Sequence, residues 1–340
     1  MAHLRNFMTG TMFGAALPKP NELEELPINI WIEGSPSFYF SRHISKHEGY
    51  PILDWSALKA WINSIECIEL QRKARIEAER AWLLHMREAL GRGFQLIESK
   101  DALVLSSLDA NVARATVEYI DRTRGRVIQL LEGIAQIPPL GKDLLLVFDD
   151  EESYYRYVSR CYPDDGEFAF SGGMYVNAGC GHYVTMKNGL HEIEPVIAHE
   201  MTHGCLSHLS LPVWLDEGLA VNIEHRLAGA RPAHTPQQLR NMHLAFWNAQ
   251  EIQVFWSGAS FLRADNASLL SYDLARIIVE QLGKNWELLT RFVLTANEVD
   301  AGAISARQHL GVDLGEFVCA LLDQEPSRAW SPDSDMWITA

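Results

Sequence analysis

Val196-Ile-Ala-His-Glu-Met-Thr-His-Gly204 contains two histidines four residues apart, His199 and His203, with Glu200 directly after the first. On an α-helix, residues four apart lie on one face, so both imidazoles can reach a single ion. Glu200 is turned about 100° from His199 around the helix axis and can lean over an open coordination position. This H-E-x-x-H spacing predicts a helix that carries part of a catalytic zinc site.

A second stretch, Trp214-Leu-Asp-Glu-Gly-Leu-Ala220, supplies Glu217, which lies fourteen residues after the second histidine of the motif. Catalytic zinc has three protein ligands and keeps its fourth position for water, so two histidines alone are incomplete. Pro212 is suited to open a second helix, from which Glu217 can point at the first one. We therefore expect one Zn2+ per chain, with the ligands His199, His203 and Glu217.

The apolar residues of both helices are expected to be core. In the first helix they form one apolar face, which comprises Val196, Ile197 and Met201. In the second helix the buried side is expected to comprise Val213, Leu219, Ala220 and Ile223. An alternative is that the polar residues are structural too, with hydrogen-bonded core histidines and with Asp216 and Glu217 stabilising a first helical turn through its dipole.

The pair H-E-M-T-H and W-L-D-E-G-L-A resembles the peptidase MA-like gluzincins, whose third ligand is a Glu in a W-L-x-E-G-x-A element on the next helix. The stretch Ser271-Tyr-Asp-Leu-Ala-Arg-Ile-Ile-Val-Glu-Gln-Leu-Gly283 is similar to the Tyr-bearing helix of that family. The resemblance implies an α+β fold of the zincin type, with a sheet-bearing upper part and a helical lower part. It also implies zinc-dependent hydrolysis of peptide bonds, with Glu200 as the general base and Tyr272 as the partner of the oxyanion. For Tyr272 a core tyrosine with a satisfied hydroxyl remains the alternative.

Two departures from the aminopeptidases of this superfamily stand out. Those enzymes have a longer insert between the second His and the Glu, and they carry a G-A-M-E-N element whose Glu holds the substrate amine. The corresponding string here is Gly172-Gly-Met-Tyr-Val-Asn177, which lacks that carboxylate. Aminopeptidase activity is therefore not expected. The resemblance further implies that one strand just before the metal helix pairs with an extended substrate.

Composition limits the class of protein. The 340 residues are 47% hydrophobic, which suits one large domain or two packed subdomains. The net charge of −15 argues against nucleic acid and anionic membranes as partners. The sequence contains no run of 18 apolar residues, so a membrane span is not expected. Residues 1–17 make a poor signal peptide, so a cytoplasmic location is favoured and an exported form stays open. Five scattered cysteines without a C-x-x-C pair fit a reducing compartment.

Three regions are predicted along the chain. Residues 1–55 are expected to be an extension with a hairpin around Gly34, and one long helix is expected from residue 56 to residue 90. Residues 56–325 form the metallopeptidase domain, with the active-site helices in 194–228, and residues 326–340 form a loose tail. Short strands are expected before the metal helix, at 94–97, 103–105, 144–148, 168–170, 174–176 and 182–186.

Two other functions remain open from the sequence. One is a non-catalytic binding or scaffold protein with a structural zinc, although such sites normally have four protein ligands. The other is a zinc hydrolase of a non-peptide or cell-wall amide. Cys205 points away from the ligand face and is not expected to bind the metal. The same holds for four histidines that lack metal-ligand spacing from His199 and His203, namely His182, His191, His208 and His225. Glu224, two turns after Glu217, either orients a ligand or is a surface charge.

Overall fold

The computed structural model of this protein describes residues 25–161, 172–229 and 233–337. In these ranges helices are combined with a small mixed sheet, which agrees with the expected α+β class. The strand predicted at 168–170 lies outside the described residues. Within the same ranges, no helix combines the length and apolar character needed to cross a membrane.

The first described segment forms two short hairpins and two helices. In chain order its elements are β1 (Asn29–Ile30), β2 (Phe38–Tyr39), β3 (Ile44–His47), β4 (Tyr50–Leu53), α1 (Trp55–Asn63) and α2 (Ile68–Leu90). The predicted hairpin around Gly34 is present, and Gly34 has a φ of +79°, which favours glycine. The prediction of a single long helix was wrong. Helix α1 ends at Asn63, and the Ser64 hydroxyl donates a hydrogen bond to the Trp61 carbonyl oxygen at this end.

The described part of the predicted extension packs onto the rest of the chain. Phe38, Phe40 and Leu53 are almost completely buried, and they share one apolar core with Trp82 of α2. The Trp82 indole also donates a hydrogen bond to the Pro51 carbonyl oxygen. Residues 25–55 thus contribute to the same core as the long helix that follows them.

The central sheet is built from short strands after α2. They are β5 (Gln95–Glu98), β6 (Ala102–Ser106), β7 (Asp143–Phe148), β8 (Gly173–Asn177) and β9 (Gly181–Met186). Their spatial order is β5-β6-β7-β9-β8, in which β6, β7 and β9 are parallel and the two outer strands are antiparallel to their neighbours. Every residue of β6 and β7 is buried, as expected for strands covered on both faces. Strand β8 forms one edge.

Most of the remaining chain is helical. The helices are α3 (Ala110–Leu130), α4 (Glu151–Val158), α5 (Leu190–Leu206), α6 (Val213–Ala228), α7 (Pro236–Phe246), α8 (Ala249–Trp256), α9 (Asn266–Leu282), α10 (Trp286–Thr295), α11 (Ala303–Ser305) and α12 (Leu314–Leu321). Alternate side chains of β6 point to opposite faces of the sheet. Val104 joins the core formed by α3, α5, α6 and α9, whereas Leu103 joins the core formed by α2 and the hairpins.

The C-terminal residues are held in place as far as residue 337, which corrects the predicted loose tail. The Trp256 indole donates to the carbonyl oxygen of Trp330, a residue that is only 7% exposed. The Gln253 side chain donates to the Ser331 carbonyl oxygen and accepts from the Trp337 indole. These hydrogen bonds join the segment to α8, and the sequence pattern alone does not contain them.

Candidate metal centre

The three predicted ligands meet where α5 and α6 lie side by side. His199 and His203 project from α5, and Glu217 projects from the first half of α6. One ligand atom from each residue lies within 4.8 Å of the others, so the group could hold a metal ion. All three side chains are partly buried, with 12 to 18% of their surface exposed.

The spacing of the ligand atoms fits a metal of tetrahedral preference. Glu217 Oε2 lies 3.1 Å from His199 Nε2 and 3.4 Å from His203 Nε2. Bonds of 2.0–2.1 Å in a tetrahedral arrangement place neighbouring ligand atoms about 3.3 Å apart. Two imidazoles and one carboxylate thus converge at nearly the separation that one ion requires, and the side towards the cleft stays open.

Two further carboxylates of α6 contact the opposite nitrogens of the two imidazoles. Glu224 Oε2 lies 3.1 Å from His199 Nδ1. Asp216 Oδ2 lies 2.9 Å from His203 Nδ1, at contact distance but not aligned as a hydrogen bond. Of the two alternatives for Glu224, this contact supports a residue that orients His199 over a surface charge. Because α5 and α6 run in opposite directions, His203 lies near Asp216 at the start of α6, and His199 lies near Glu224 two turns further along.

The cluster binds protons strongly when no metal competes for it. Burial opposes protonation of His199, but hydrogen bonds with Glu217 and Glu224 outweigh burial and raise its pKa to about 10. Burial also opposes protonation of His203, and the charges of Asp216 and Glu217 nevertheless hold its pKa well above the usual range. The pKa of Glu217 is lowered, because the charge of His203 outweighs the effect of burial. A metal ion binding here must displace protons.

Glu200 is directed into the same site from α5. It is 7% exposed, and burial raises the pKa of its carboxyl group. A Cβ atom at Gly173 would lie 3.6 Å from Glu200 Oε1, which places this carboxylate beside the edge strand β8. Gly173 makes this approach possible, because a Cβ atom there would lie 2.2 Å from Val196 Cγ1. Glu200 therefore sits between the metal-binding group and the edge of the sheet.

Tyr272 lies beside the predicted ligands on α9. Its ring centre is 6.3 Å from that of His199 and 5.1 Å from that of Phe261, against which it packs edge to face. The residue is half-buried and lines the cleft. Tyr272 thus packs against the helical core and also faces the cleft, so its role as oxyanion partner stays a prediction beside the alternative of a core tyrosine.

Close packing of α6 against α9 positions both Glu217 and Tyr272. A Cβ atom at Gly218 would lie 2.6 Å from the Ala275 carbonyl oxygen, so only glycine allows this approach. The Asn222 amide donates to the carbonyl oxygens of Gly218 and Arg276, 2.7 and 2.9 Å away. The glycine of the W-L-D-E-G-L-A stretch thus has a packing role next to the ligand.

The site opens into a cleft of about 510 Å³. Its lining residues come from β8, α5, α6, α9 and the turn before α9: Gly172, Gly173, Met174, Tyr175, Val196, His199, Glu200, His203, Asp216, Glu217, Glu224, Phe261, Leu262, Ser268 and Tyr272. Val196 was expected in the core. Its side chain instead lines the cleft, because Gly173 has no side chain in the space next to it. Val213 was also expected to be buried and is 42% exposed, because it lies at the first position of α6.

His182, His191, His208, His225 and Cys205, which lack ligand spacing in the sequence, are not among the described residues that line the cleft. His182 is buried on β9 between the Tyr157 hydroxyl and the Cys180 carbonyl oxygen. Cys205 is 2% exposed in the helical core. The five cysteines are all free thiols.

Comparisons with known proteins add no family to this picture. The chain matches no protein-family model, and no curated protein matches it in sequence. The chemistry of the cleft is therefore inferred from its own residues and their geometry.

Proposed function

We propose that this protein is a zinc-dependent metallopeptidase of the gluzincin type with a zincin-like α+β fold. One observation carries the proposal. His199, His203 and Glu217 converge on one point, and a buried Glu200 lies beside that point on a cleft open to solvent. A structural zinc site would be closed by a fourth protein ligand, whereas this group leaves one position towards the cleft.

Zinc is the metal that this ligand set suits best. Two imidazoles and one carboxylate, with a fourth position left open, are a common catalytic ligand set for zinc. Hard cations such as calcium prefer six or more oxygen ligands, which this site does not supply within the described residues. A zinc ion held there supplies a Lewis acid for the scissile carbonyl and a water molecule of lowered pKa.

Glu200 is the proton carrier of the proposed reaction. Its pKa is raised towards the neutral pH range, in which the carboxyl group can both accept and release a proton. It takes the proton from the attacking water and delivers it to the leaving amine. The hydroxyl of Tyr272 donates a hydrogen bond to the oxygen that becomes negative during attack.

Strand β8 provides a docking edge for the substrate. It is an outer strand of the sheet, it is antiparallel to β9, and its residues 173–175 line the cleft. An extended peptide can add to such an edge through main-chain hydrogen bonds. An extended peptide docked there would pass Glu200, which lies beside the same strand.

The cleft does not support aminopeptidase activity. Among the described lining residues the carboxylates are Glu200, Asp216, Glu217 and Glu224, and each has a role at the metal-binding group. Strand β8 adds none at the position where aminopeptidases hold the substrate amine. An N-terminally acetylated peptide should therefore be cut at least as fast as its unblocked twin.

The test is a digest of a broad peptide pool, read by mass spectrometry, with wild type and Glu200→Gln. The variant keeps the shape and hydrogen bonding of the side chain but cannot accept the proton, so it should retain zinc and lose nearly all hydrolysis. Removal of a catalytic base of this kind costs several kcal/mol in the barrier, on the order of a thousandfold in rate. Equal cleavage by both proteins would refute the mechanism, and absence of cleavage by wild type would favour a zinc-bearing scaffold.

A further inference from the structure

The charged residues that line the cleft are predominantly acidic. Four carboxylates line it, and the described lining residues include no Lys and no Arg. These carboxylates outnumber the two positive charges of a zinc ion, and they still do so if Glu200 is protonated. The chain as a whole carries a net charge of −15, which adds to the repulsion of acidic substrates at long range.

This lining leaves no group to bind a negatively charged substrate end. A carboxypeptidase needs a cation near the site to pair with the terminal carboxylate. The described lining thus supplies neither a cation for a C-terminus nor, for an N-terminus, a carboxylate that is free of the metal-binding group.

One wall of the cleft is apolar. Phe261 and Leu262 lie in the short turn of helix before α9, and Phe261 packs against Tyr272, which in turn neighbours His199. Met174 of β8 and Val196 of α5 complete the apolar lining. Leu262 is 42% exposed, so its side chain is available to a substrate that enters the cleft. Burial of an apolar substrate side chain against this wall is favourable.

We propose that the protein is an endopeptidase that cuts neutral or basic segments beside an apolar side chain, with Leu262 as a specificity-determining residue. The inference rests on the proposed function and adds its substrate class. Acidic side chains next to the scissile bond are repelled by the unpaired negative charge of the cleft. Basic side chains in the same positions are attracted, and an apolar side chain contacts the wall formed by Phe261 and Leu262.

The experiment uses four quenched fluorescent peptides with acetylated and amidated ends. Two contain a central Leu flanked by Lys or by Glu, and two contain a central Gly with the same flanks. We expect kcat/KM for the Lys-flanked Leu peptide to exceed that for the Glu-flanked one at least tenfold at low salt. Because surface charges are screened by salt, 0.5 M NaCl should reduce this ratio severalfold. Replacement of the central Leu by Gly should lower kcat/KM at least tenfold.

Variants at an exposed position keep the test independent of folding. Leu262→Lys should lower the Lys-to-Glu ratio about threefold to tenfold, and Leu262→Glu should raise it, while zinc content stays at the wild-type level. Leu269→Lys is the matched control, since Leu269 is 39% exposed nearby on α9 but does not line the cleft. This control should leave the ratio unchanged.

The outcomes separate the two proposals. If wild type cleaves peptides but does not distinguish the flanks, or if the Leu262 variants leave the ratio unchanged, the substrate class is wrong and the peptidase assignment stands. A strict requirement for a free amine or a free carboxylate would also overturn the endopeptidase inference. If wild type cleaves none of these peptides and none of a broad pool, the proposed function fails together with the inference.

Discussion

Glu224 Oε2 lies 3.1 Å from Nδ1 of His199, and Glu217 Oε2 lies 3.1 Å from Nε2 of the same ring. The first carboxylate accepts from Nδ1–H of this ring. When a metal ion displaces the proton of Nε2, a carboxylate in this position fixes the orientation of the imidazole and increases its basicity. Glu224 is therefore expected to act on a bound metal through His199, as a positioning residue.

Loss of this carboxylate should weaken metal binding without removing a ligand. We expect Glu224→Ala to lower zinc affinity 10- to 100-fold, the range measured for such outer partners. Glu224→Gln should lose less, because its amide oxygen still accepts from the imidazole. Competition with a zinc chelator measures the affinities. Glu192→Gln, an exposed acid on α5, serves as control and should match wild type. Equal affinity in Glu224→Ala and wild type would reduce Glu224 to a surface charge.

The ligand assignment is tested by zinc content. Protein purified without added metal should contain one zinc ion per chain by elemental analysis. His203→Ala or Glu217→Ala leaves two protein ligands and should lower affinity sharply, since each ligand contributes directly to the binding free energy. His208→Ala removes an exposed histidine just beyond α5 and should keep full occupancy. Full occupancy in both ligand variants would disprove the site.

Tyr272 is tested by removal of its hydroxyl alone. Tyr272→Phe keeps the ring that packs against Phe261, so folding and zinc content should be unchanged. Turnover should fall about ten- to a thousandfold, the effect of one donor to an oxyanion, and the loss should appear in kcat. The measurement is steady-state cleavage of a peptide that wild type cuts. An unchanged kcat would assign Tyr272 a packing role only.

Local spacing accounts for the part of the site that the sequence predicts. His199, Glu200 and His203 are placed by helical geometry alone, and Glu217 needs only a second helix across from the first. The strands β6 and β7 were equally predictable, because their buried positions form uninterrupted apolar runs. These features depend on residues that are near one another in the chain.

Features that depend on distant residues were missed or left open between alternatives. The contact between Glu224 and His199 requires the angle at which α6 crosses α5, and no spacing along one helix contains that angle. Val196 belongs to an apolar helix face and yet lines the cleft, because Gly173 of another element lets β8 approach it. The docked C-terminal segment depends on hydrogen bonds that join Gln253 and Trp256 to residues 74 to 84 positions further along the chain. A signal for Glu224 existed in its seven-residue spacing from Glu217, but the same spacing also suits a surface charge.

A buried histidine away from the metal centre makes stability depend on pH. His182 donates through Nδ1 to the Cys180 carbonyl oxygen, which can only accept, so Nε2 must accept from the Tyr157 hydroxyl. Burial lowers the pKa of His182 from 6.5 to about 4. Between these values the unfolded chain binds the proton and the folded chain does not. The free energy of unfolding therefore falls as the pH drops from 6.5 towards 4.

Urea unfolding of wild type and His182→Gln at pH 7.5 and pH 5.0, both with a chelator present, measures this contribution. By pH 5.0 the unfolded histidine is mostly protonated, and the linkage amounts to about 2 kcal/mol in wild type. His182→Gln is expected to be less stable than wild type at pH 7.5, because the shorter side chain leaves space beside Tyr157. Its further loss between pH 7.5 and pH 5.0 should nevertheless be about 2 kcal/mol smaller. His208→Gln, at an exposed position, should lose as much as wild type. If wild type and His182→Gln lose the same free energy over this interval, His182 is not held neutral in the folded protein.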